Sequence, residues 1–154
     1  MDLKRYRGEG GGVPRNNLNE ARETLGNRFV IQKNQADGFN FEFKLGIKDK
    51  NNSLIVLHSW IIPKNISLEP EIKRLAIKVE NSFENELVED EKNKKVIVWD
   101  QGRWGLMRGD IEIGNISFNL FGKITKARYT IQKLADIKNK KQKNHWVIWR
   151  MVGF

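Results

Sequence analysis

Apolar and polar residues alternate along most of this chain, and the alternation is sharpest over residues 39–45. There the pattern F-x-F-x-F-x-L places four apolar side chains on one side of an extended segment and three polar ones on the other. This two-residue period predicts a strand with one dry and one polar face. A more mixed run over residues 29–34 and an Asp37-Gly38 turn signal predict a hairpin. We expect its polar side chains to gather on one surface: Gln32, Asn34, Asn40, Glu42 and Lys44.

Further segments with strand character follow, and short turn signals separate them. Strands are predicted over residues 54–62, 73–80, 96–99, 103–107, 116–121, 124–134 and 145–152. In the second of these, the alternation predicts that Leu75, Ile77 and Val79 face the core. Asp100-Gln101-Gly102 is interpreted as a turn between two strands. The pattern predicts a mainly β protein, folded as a single-domain antiparallel β-barrel or a strongly curved sheet.

The start of the chain has a different character. Residues 1–28 carry several arginines and a run of glycines, which predicts a basic arm, followed by one short helix between Asn19 and Leu25. We therefore expect an N-terminal arm with a short helix over residues 1–28 and a β-barrel domain over residues 29–154.

Charge narrows the class of partner. Lysine and arginine outnumber aspartate and glutamate by 28 to 19, for a formal net charge of +9. This balance favours a polyanionic partner, nucleic acid before a membrane, because no basic amphipathic helix is apparent. The alternative is that the excess of basic residues serves only to keep the protein soluble. With no long apolar run and no signal-peptide pattern, we expect a cytoplasmic protein.

Several kinds of catalytic site are excluded by the residues present. The chain has no cysteine and only two histidines, so thiolate chemistry and a multi-histidine metal site are ruled out. The common phosphate-loop, dinucleotide-binding, zinc-protease and serine-hydrolase motifs are also missing. His58 lies within an apolar run, which favours a hydrogen-bonded core or edge histidine over a metal ligand.

A family resemblance rests on several segments taken in order: FVIQK, SWIIPK, KRLAIKVE, VIVWDQGRW, ISFNLFGK and NHWVIWRM. Together they resemble the 3′-phosphoesterase domain of bacterial and archaeal DNA ligase D, over almost the whole chain. The resemblance implies a small β-barrel with a crescent-shaped surface. It also implies a manganese-dependent site that trims ribonucleosides and phosphates from DNA 3′ ends, so that ligation can proceed.

The catalytic positions of that family are substituted here. Its two metal-site histidines correspond to Asn34 and Asn40, and its later catalytic histidine corresponds to Ser82. Its aspartate and arginine correspond to Glu42 and Lys44. The resemblance further implies a phosphate-binding set in which Lys44 is a charge-preserving change. That set is Gln32, Lys44, Lys64 and Arg74.

These substitutions predict lost or altered catalysis. An asparagine amide is a poorer ligand for manganese than an imidazole, and serine does not donate a proton near neutral pH as histidine does. The preferred hypothesis is a catalytically inactive or altered module of DNA repair that binds nucleic-acid ends or phosphate through a basic pocket. DNA ends are the favoured partner, and a ligase or other repair protein is an alternative one. One alternative is an active metal-dependent 3′-phosphoesterase whose oxygen-rich site uses Asn34, Asn40 and Glu42 with Glu80 or Glu84. The other is a scaffold with an empty pocket.

Overall fold

The computed structural model describes residues 26–35, 40–80, 96–135 and 144–153. These residues form eight strands. Their bounds are β1 (Asn27–Asn34), β2 (Asn40–Lys48), β3 (Leu54–Ile62), β4 (Arg74–Val79), β5 (Val96–Asp110), β6 (Asn115–Gly122), β7 (Lys126–Lys133) and β8 (His145–Arg150).

The strands close into an antiparallel barrel in the order β1-β2-β3-β4-β8-β7-β6-β5. Every strand pairing is antiparallel, and the β1–β5 pairing completes the ring. The predicted mainly β architecture is therefore confirmed. The short helix predicted before Gly26 and the Asp37-Gly38 turn lie outside the described residues, and the division of the chain at residue 28 stays a prediction. No helix in the described part of the chain is long and apolar enough to cross a membrane.

Aromatic side chains fill the inside of the barrel. The ring of Phe43 stacks on Trp60 at 5.9 Å and on Phe118 at 5.7 Å, and Trp146 meets Trp60 edge-on at 5.7 Å. Each large side chain buried in this way stabilises the fold by roughly 1.5–3 kcal/mol. Because these rings occupy the inner face, the polar side chains that alternate with them on the hairpin strands point away from the barrel interior.

The predicted orientation of β4 is wrong. Leu75 is 39% exposed, whereas Ala76 is fully buried. Trp146 lies opposite Ala76 in the β4–β8 pairing, so a bulky ring already fills this level of the barrel and only a small side chain fits beside it. As a consequence Arg74 and Lys78 lie on the inner face of β4, and Leu75 lies on the outer face.

The predicted turn at Asp100-Gln101-Gly102 is also wrong, because β5 continues through it. The pairing of β1 with β5 shifts register between Ile31 and Gln32, so the strand passes through this segment with a local irregularity. Asp100 instead organises the neighbouring β6–β7 turn, where its carboxylate accepts hydrogen bonds from the backbone nitrogens of Lys123 (2.9 Å) and Thr125 (2.8 Å).

Candidate functional site

The outer face of β1 and β2 gathers the polar side chains of the predicted hairpin. In the register of this pair, Gln32 lies opposite Glu42, and Asn34 lies opposite Asn40. Lys44 lies one step further along, on the same face, opposite Val30. The predicted surface is therefore confirmed, and we call it, together with Ser59 of β3, the hairpin patch: Gln32, Asn34, Asn40, Glu42, Lys44 and Ser59.

The lysine of the hairpin patch is buried although it points outward. Lys44 is only 8% exposed, and its Nζ lies 3.4 Å from Oε2 of Glu42, whose side chain is 32% exposed. Lysine is almost never buried unless its charge is paired. Gln32, beside Glu42, is buried as well. The patch thus holds an ammonium group in a position with little access to water, where its electrostatic interactions are stronger than at an open surface.

Ser59 completes this cluster and was not among the predicted site residues. It pairs with Lys44 across β2 and β3, it is 1% exposed, and its Oγ has no hydrogen-bond partner among the described residues. Its alternation with the buried Trp60 was a usable signal for its outward direction. Its position opposite Lys44 was not readable, because the register of β2 with β3 shifts between Leu45 and Gly46.

The other predicted phosphate-binding residues lie elsewhere. Lys64 is exposed and follows the end of β3, where Ile62 pairs with Phe41, so it leaves the sheet near the Asn34–Asn40 end of the hairpin patch. Arg74 pairs with the buried Ile148 and lies on the inner face of the barrel, with a buried Nε that has no hydrogen-bond partner in the described part of the chain. Ser82 lies outside the described residues. The structure therefore brings Gln32 and Lys44 together on the outer face of the barrel but places Arg74 on its inner face.

The hairpin patch does not fit the manganese site that the resemblance implies. Its only carboxylate, Glu42, is already paired with Lys44, and a nearby ammonium opposes the binding of a cation. Asn34 and Asn40 add only neutral amide oxygens. Within residues 26–35, 40–80, 96–135 and 144–153, no three histidine or acidic side chains are grouped so that they could hold a metal ion. Glu84 lies outside these residues.

His58 is a part-buried polar residue on the inner face of the barrel, and its Nδ1 atom is buried. It pairs with the buried Leu45, and its ring is 6.1 Å from that of Trp60. Burial, with a smaller effect of the neighbouring Lys78 charge, lowers the pKa of His58 from 6.5 to about 3. The sequence predicts a hydrogen-bonded core or edge histidine, and the structure places the part-buried side chain on the inner face of β3. The expected hydrogen bonding is not complete, because Nδ1 has no hydrogen-bond partner among the described residues.

Comparison with known proteins identifies the family. The model of the DNA Ligase D 3′-phosphoesterase domain matches residues 32–133. This chain belongs to that family. The matched range extends from the middle of β1 to the end of β7 and contains the whole hairpin patch, Lys64, Arg74 and Ser82.

Two relatives that this chain matches are much longer proteins. The multifunctional non-homologous end joining protein LigD of Pseudomonas aeruginosa is 32% identical over 112 residues, which is 66% of this chain and 13% of that protein. The multifunctional non-homologous end joining DNA repair protein LigD of Mycobacterium tuberculosis is 31% identical over 115 residues, 69% of this chain and 14% of that protein. The chain thus spans about one seventh of the length of either relative.

Proposed function

We propose that this domain binds DNA ends through the hairpin patch, at a terminal phosphate, and that its phosphoesterase chemistry is lost or altered. The context we infer is DNA repair, because both relatives are named as end joining proteins. A ligase, in a longer chain or in a separate protein, would join the ends that this domain holds. The proposal rests on the family together with the chemistry of the patch.

One observation carries the proposal: the buried Lys44 lies beside a buried serine hydroxyl that lacks a partner among the described residues. Phosphate oxygens accept charge-assisted hydrogen bonds from ammonium groups and further bonds from hydroxyl and amide donors. Lys44, Ser59 and Gln32 offer these three kinds of donor on one face. In the absence of phosphate, the contact with Glu42 stabilises the buried ammonium.

The same patch explains why cleavage would be impaired. Catalysis in the family, as the resemblance implies, depends on manganese held by imidazoles, and the positions nearest to Lys44 carry amides and a paired carboxylate instead. Lysine in place of arginine also loses the two-pronged contact that a guanidinium makes with phosphate. What the patch retains is the capacity to bind an anion.

The substitution Lys44→Gln tests phosphate binding directly. We expect the parent protein to bind a duplex with a 3′-phosphate more tightly than the same duplex with a 3′-hydroxyl, measured by fluorescence anisotropy. Loss of a charged hydrogen bond should weaken binding of the phosphorylated duplex roughly tenfold to a hundredfold. Lys50→Gln, in the exposed loop after β2, removes the same charge and serves as the control. Equal affinity of the parent for both duplexes would contradict the proposal.

Catalysis is tested separately with the 3′-phosphorylated primer. We expect no phosphate release when the parent protein is incubated with Mn²⁺ or Mg²⁺. Release that requires either ion and is lost in Glu42→Gln would instead support the oxygen-rich metal site. Binding and cleavage are thus measured independently, and DNA-end binding can hold whichever result the second assay gives.

A further inference from the structure

The outer face of β5, β6 and β7 exposes an aromatic ring among cations. Phe121 of β6 is 59% exposed, because the adjacent Leu120 takes the buried position of the alternation. In the strand register, Phe121 lies opposite Arg103 of β5 on one side and opposite Lys126 of β7 on the other. Both cations are exposed. A positive charge therefore flanks the ring on each neighbouring strand.

A shallow depression adjoins this ring. Its volume is about 490 Å³, and its lining includes two cationic side chains and no carboxylate. The lining residues are Asn119, Leu120, Phe121, Lys126, Ala127 and Arg128. An open depression with this charge is complementary to a polyanion.

Two residues along each strand from Phe121, a hydrogen bond holds Arg128 in place, and a glycine leaves open space beside the ring. Arg128 donates from Nε to Oδ1 of Asn119 at 3.3 Å, and Nδ2 of Asn119 in turn contacts the sulfur of Met107 at 3.1 Å. Opposite Asn119 lies Gly105, and a Cβ there would meet only the ring of Phe121, at 3.9 Å. The absence of a side chain at Gly105 leaves open space next to the aromatic ring.

We propose that this face, which we call the aromatic wall (Arg103, Phe121, Lys126 and Arg128), binds single-stranded DNA. One unpaired base stacks on Phe121, and Arg103, Lys126 and Arg128 contact the phosphates on either side. Exposed aromatic rings in positively charged grooves bind single strands in this way because every base has a stacking face, whereas paired bases in a duplex do not present theirs. Binding of a single strand to the aromatic wall does not depend on phosphate binding at the hairpin patch.

Substitutions at Phe121 test the stacking contact, with binding of a fluorescently labelled oligothymidylate as the readout. We expect Phe121→Ala and Phe121→Leu to weaken binding by roughly fivefold to a hundredfold, and Phe121→Trp to preserve or tighten it. Ile113→Ala, at a residue 72% exposed in the β5–β6 turn, removes a comparable apolar group and should have no effect. Unchanged binding in Phe121→Ala, or full binding in Phe121→Leu, would overturn the proposal.

Charge substitutions test the phosphate contacts. Lys126→Gln should lower the slope of log affinity against log salt concentration by about 0.7, the value for one phosphate contact on a single strand. Lys133→Gln, at the other end of the same strand, is the matched control and should leave the slope unchanged. Tighter binding of an acidic peptide than of oligothymidylate would assign the aromatic wall to a protein partner and overturn the proposal. Lys44→Gln should not alter oligothymidylate binding, so failure at one site is distinguishable from failure at the other.

Discussion

At the scale of single residues, the interior of the barrel combines tight aromatic packing with basic side chains, two of which lie close to the Trp60 ring. Nζ of Lys78 lies 5.4 Å from the centre of the Trp60 ring, and His58 packs on the same ring from within its own strand. Burial lowers the pKa of both Lys78 and His58, since a charged form loses hydration inside the barrel. An aromatic ring next to a partly buried ammonium offsets some of that loss through a cation–π contact.

The buried histidine should make stability depend on pH. In the unfolded chain His58 takes up a proton near pH 6.5, but in the folded protein it does so only near pH 3. Between these pH values the unfolded state binds more protons than the folded state. Titration of His58 therefore lowers the free energy of unfolding as the pH falls, by up to roughly 1.4 kcal/mol per pH unit. The His58→Leu variant should lose this part of the slope in urea unfolding measured from pH 7 to 4. An identical slope in the variant and the parent would contradict the prediction.

The central tryptophan should be among the costliest side chains to truncate. Trp60 is fully buried between Phe43 and Trp146, so Trp60→Ala leaves a large cavity and should lower the free energy of unfolding by roughly 3–5 kcal/mol. Chemical denaturation measures the change. Phe121→Ala, which truncates an exposed ring, should change stability by no more than about 0.5 kcal/mol. Similar losses in the two variants would show that Trp60 is not a core residue.

At the scale of elements, the connection between β6 and β7 depends on a carboxylate from β5. Burial alone would raise the pKa of Asp100, but hydrogen bonds from Thr125 Oγ1 and from the backbone of residues 123–125 outweigh it and lower that pKa below its usual 3.8. The adjoining Gly122 is required because a Cβ there would overlap Oδ2 of Asp100 and the ring of Phe29. Asp100 thus has a structural role in this barrel.

The Asp100→Asn substitution should therefore destabilise the protein. An asparagine keeps one acceptor oxygen but directs its amide hydrogens at groups that also donate, which should cost about 1–3 kcal/mol. In the parent, the lowered pKa stabilises the fold above pH 3.8, and this contribution is lost as the pH falls through the folded pKa. Thermal unfolding at neutral and acidic pH tests both statements. Asp49→Asn is the control. The carboxylate of Asp49 accepts hydrogen bonds from backbone nitrogens in an exposed loop, so this substitution should lower the free energy of unfolding by less.

At the scale of the whole molecule, positive charge is distributed over more than one wall of the barrel. The hairpin patch lies on β1 to β3 and the aromatic wall on β5 to β7, and the net charge of the complete chain is +9. Lys64 lies at one end of the barrel and Arg74 on its inner face. The long-range attraction to DNA that the proposed function requires therefore does not depend on a single cluster of cations.

The double substitution Lys64→Ala with Arg74→Ala should weaken DNA binding and lower its salt dependence. Each lost phosphate contact reduces the slope of log affinity against log salt by about 0.9 for a duplex. Because Lys64 is exposed and Nε of Arg74 is buried, we expect the single Lys64→Ala variant to account for most of the change. Titrations at several salt concentrations measure the slopes. If the double variant binds as the parent does, neither residue takes part in DNA binding.

The sequence by itself determined the local structure: most of the strands and the pairing of the first two. The two-residue period defined most strands, and the hairpin of residues 29–45 placed Gln32, Glu42 and the Asn34–Asn40 pair on one face, because strands joined by a short connection have few possible registers. The ordered family segments indicated the fold class and the substituted catalytic positions. Lys44 could thus be predicted as a site residue from the sequence alone.

Only the tertiary structure decided which face of β4 is buried, that β5 runs through Asp100, and that Ser59 lies opposite Lys44. Alternation distinguishes the two faces of a strand but does not say which face is inside. The orientation of β4 depends on the volume of Trp146, which lies opposite Ala76. Registers that contain a bulge, such as β2 with β3, depend on closing the whole ring of strands. The burial of Lys44, on which the proposed function rests, likewise depended on the tertiary structure, because the alternation predicted a polar outer face and not a covered one.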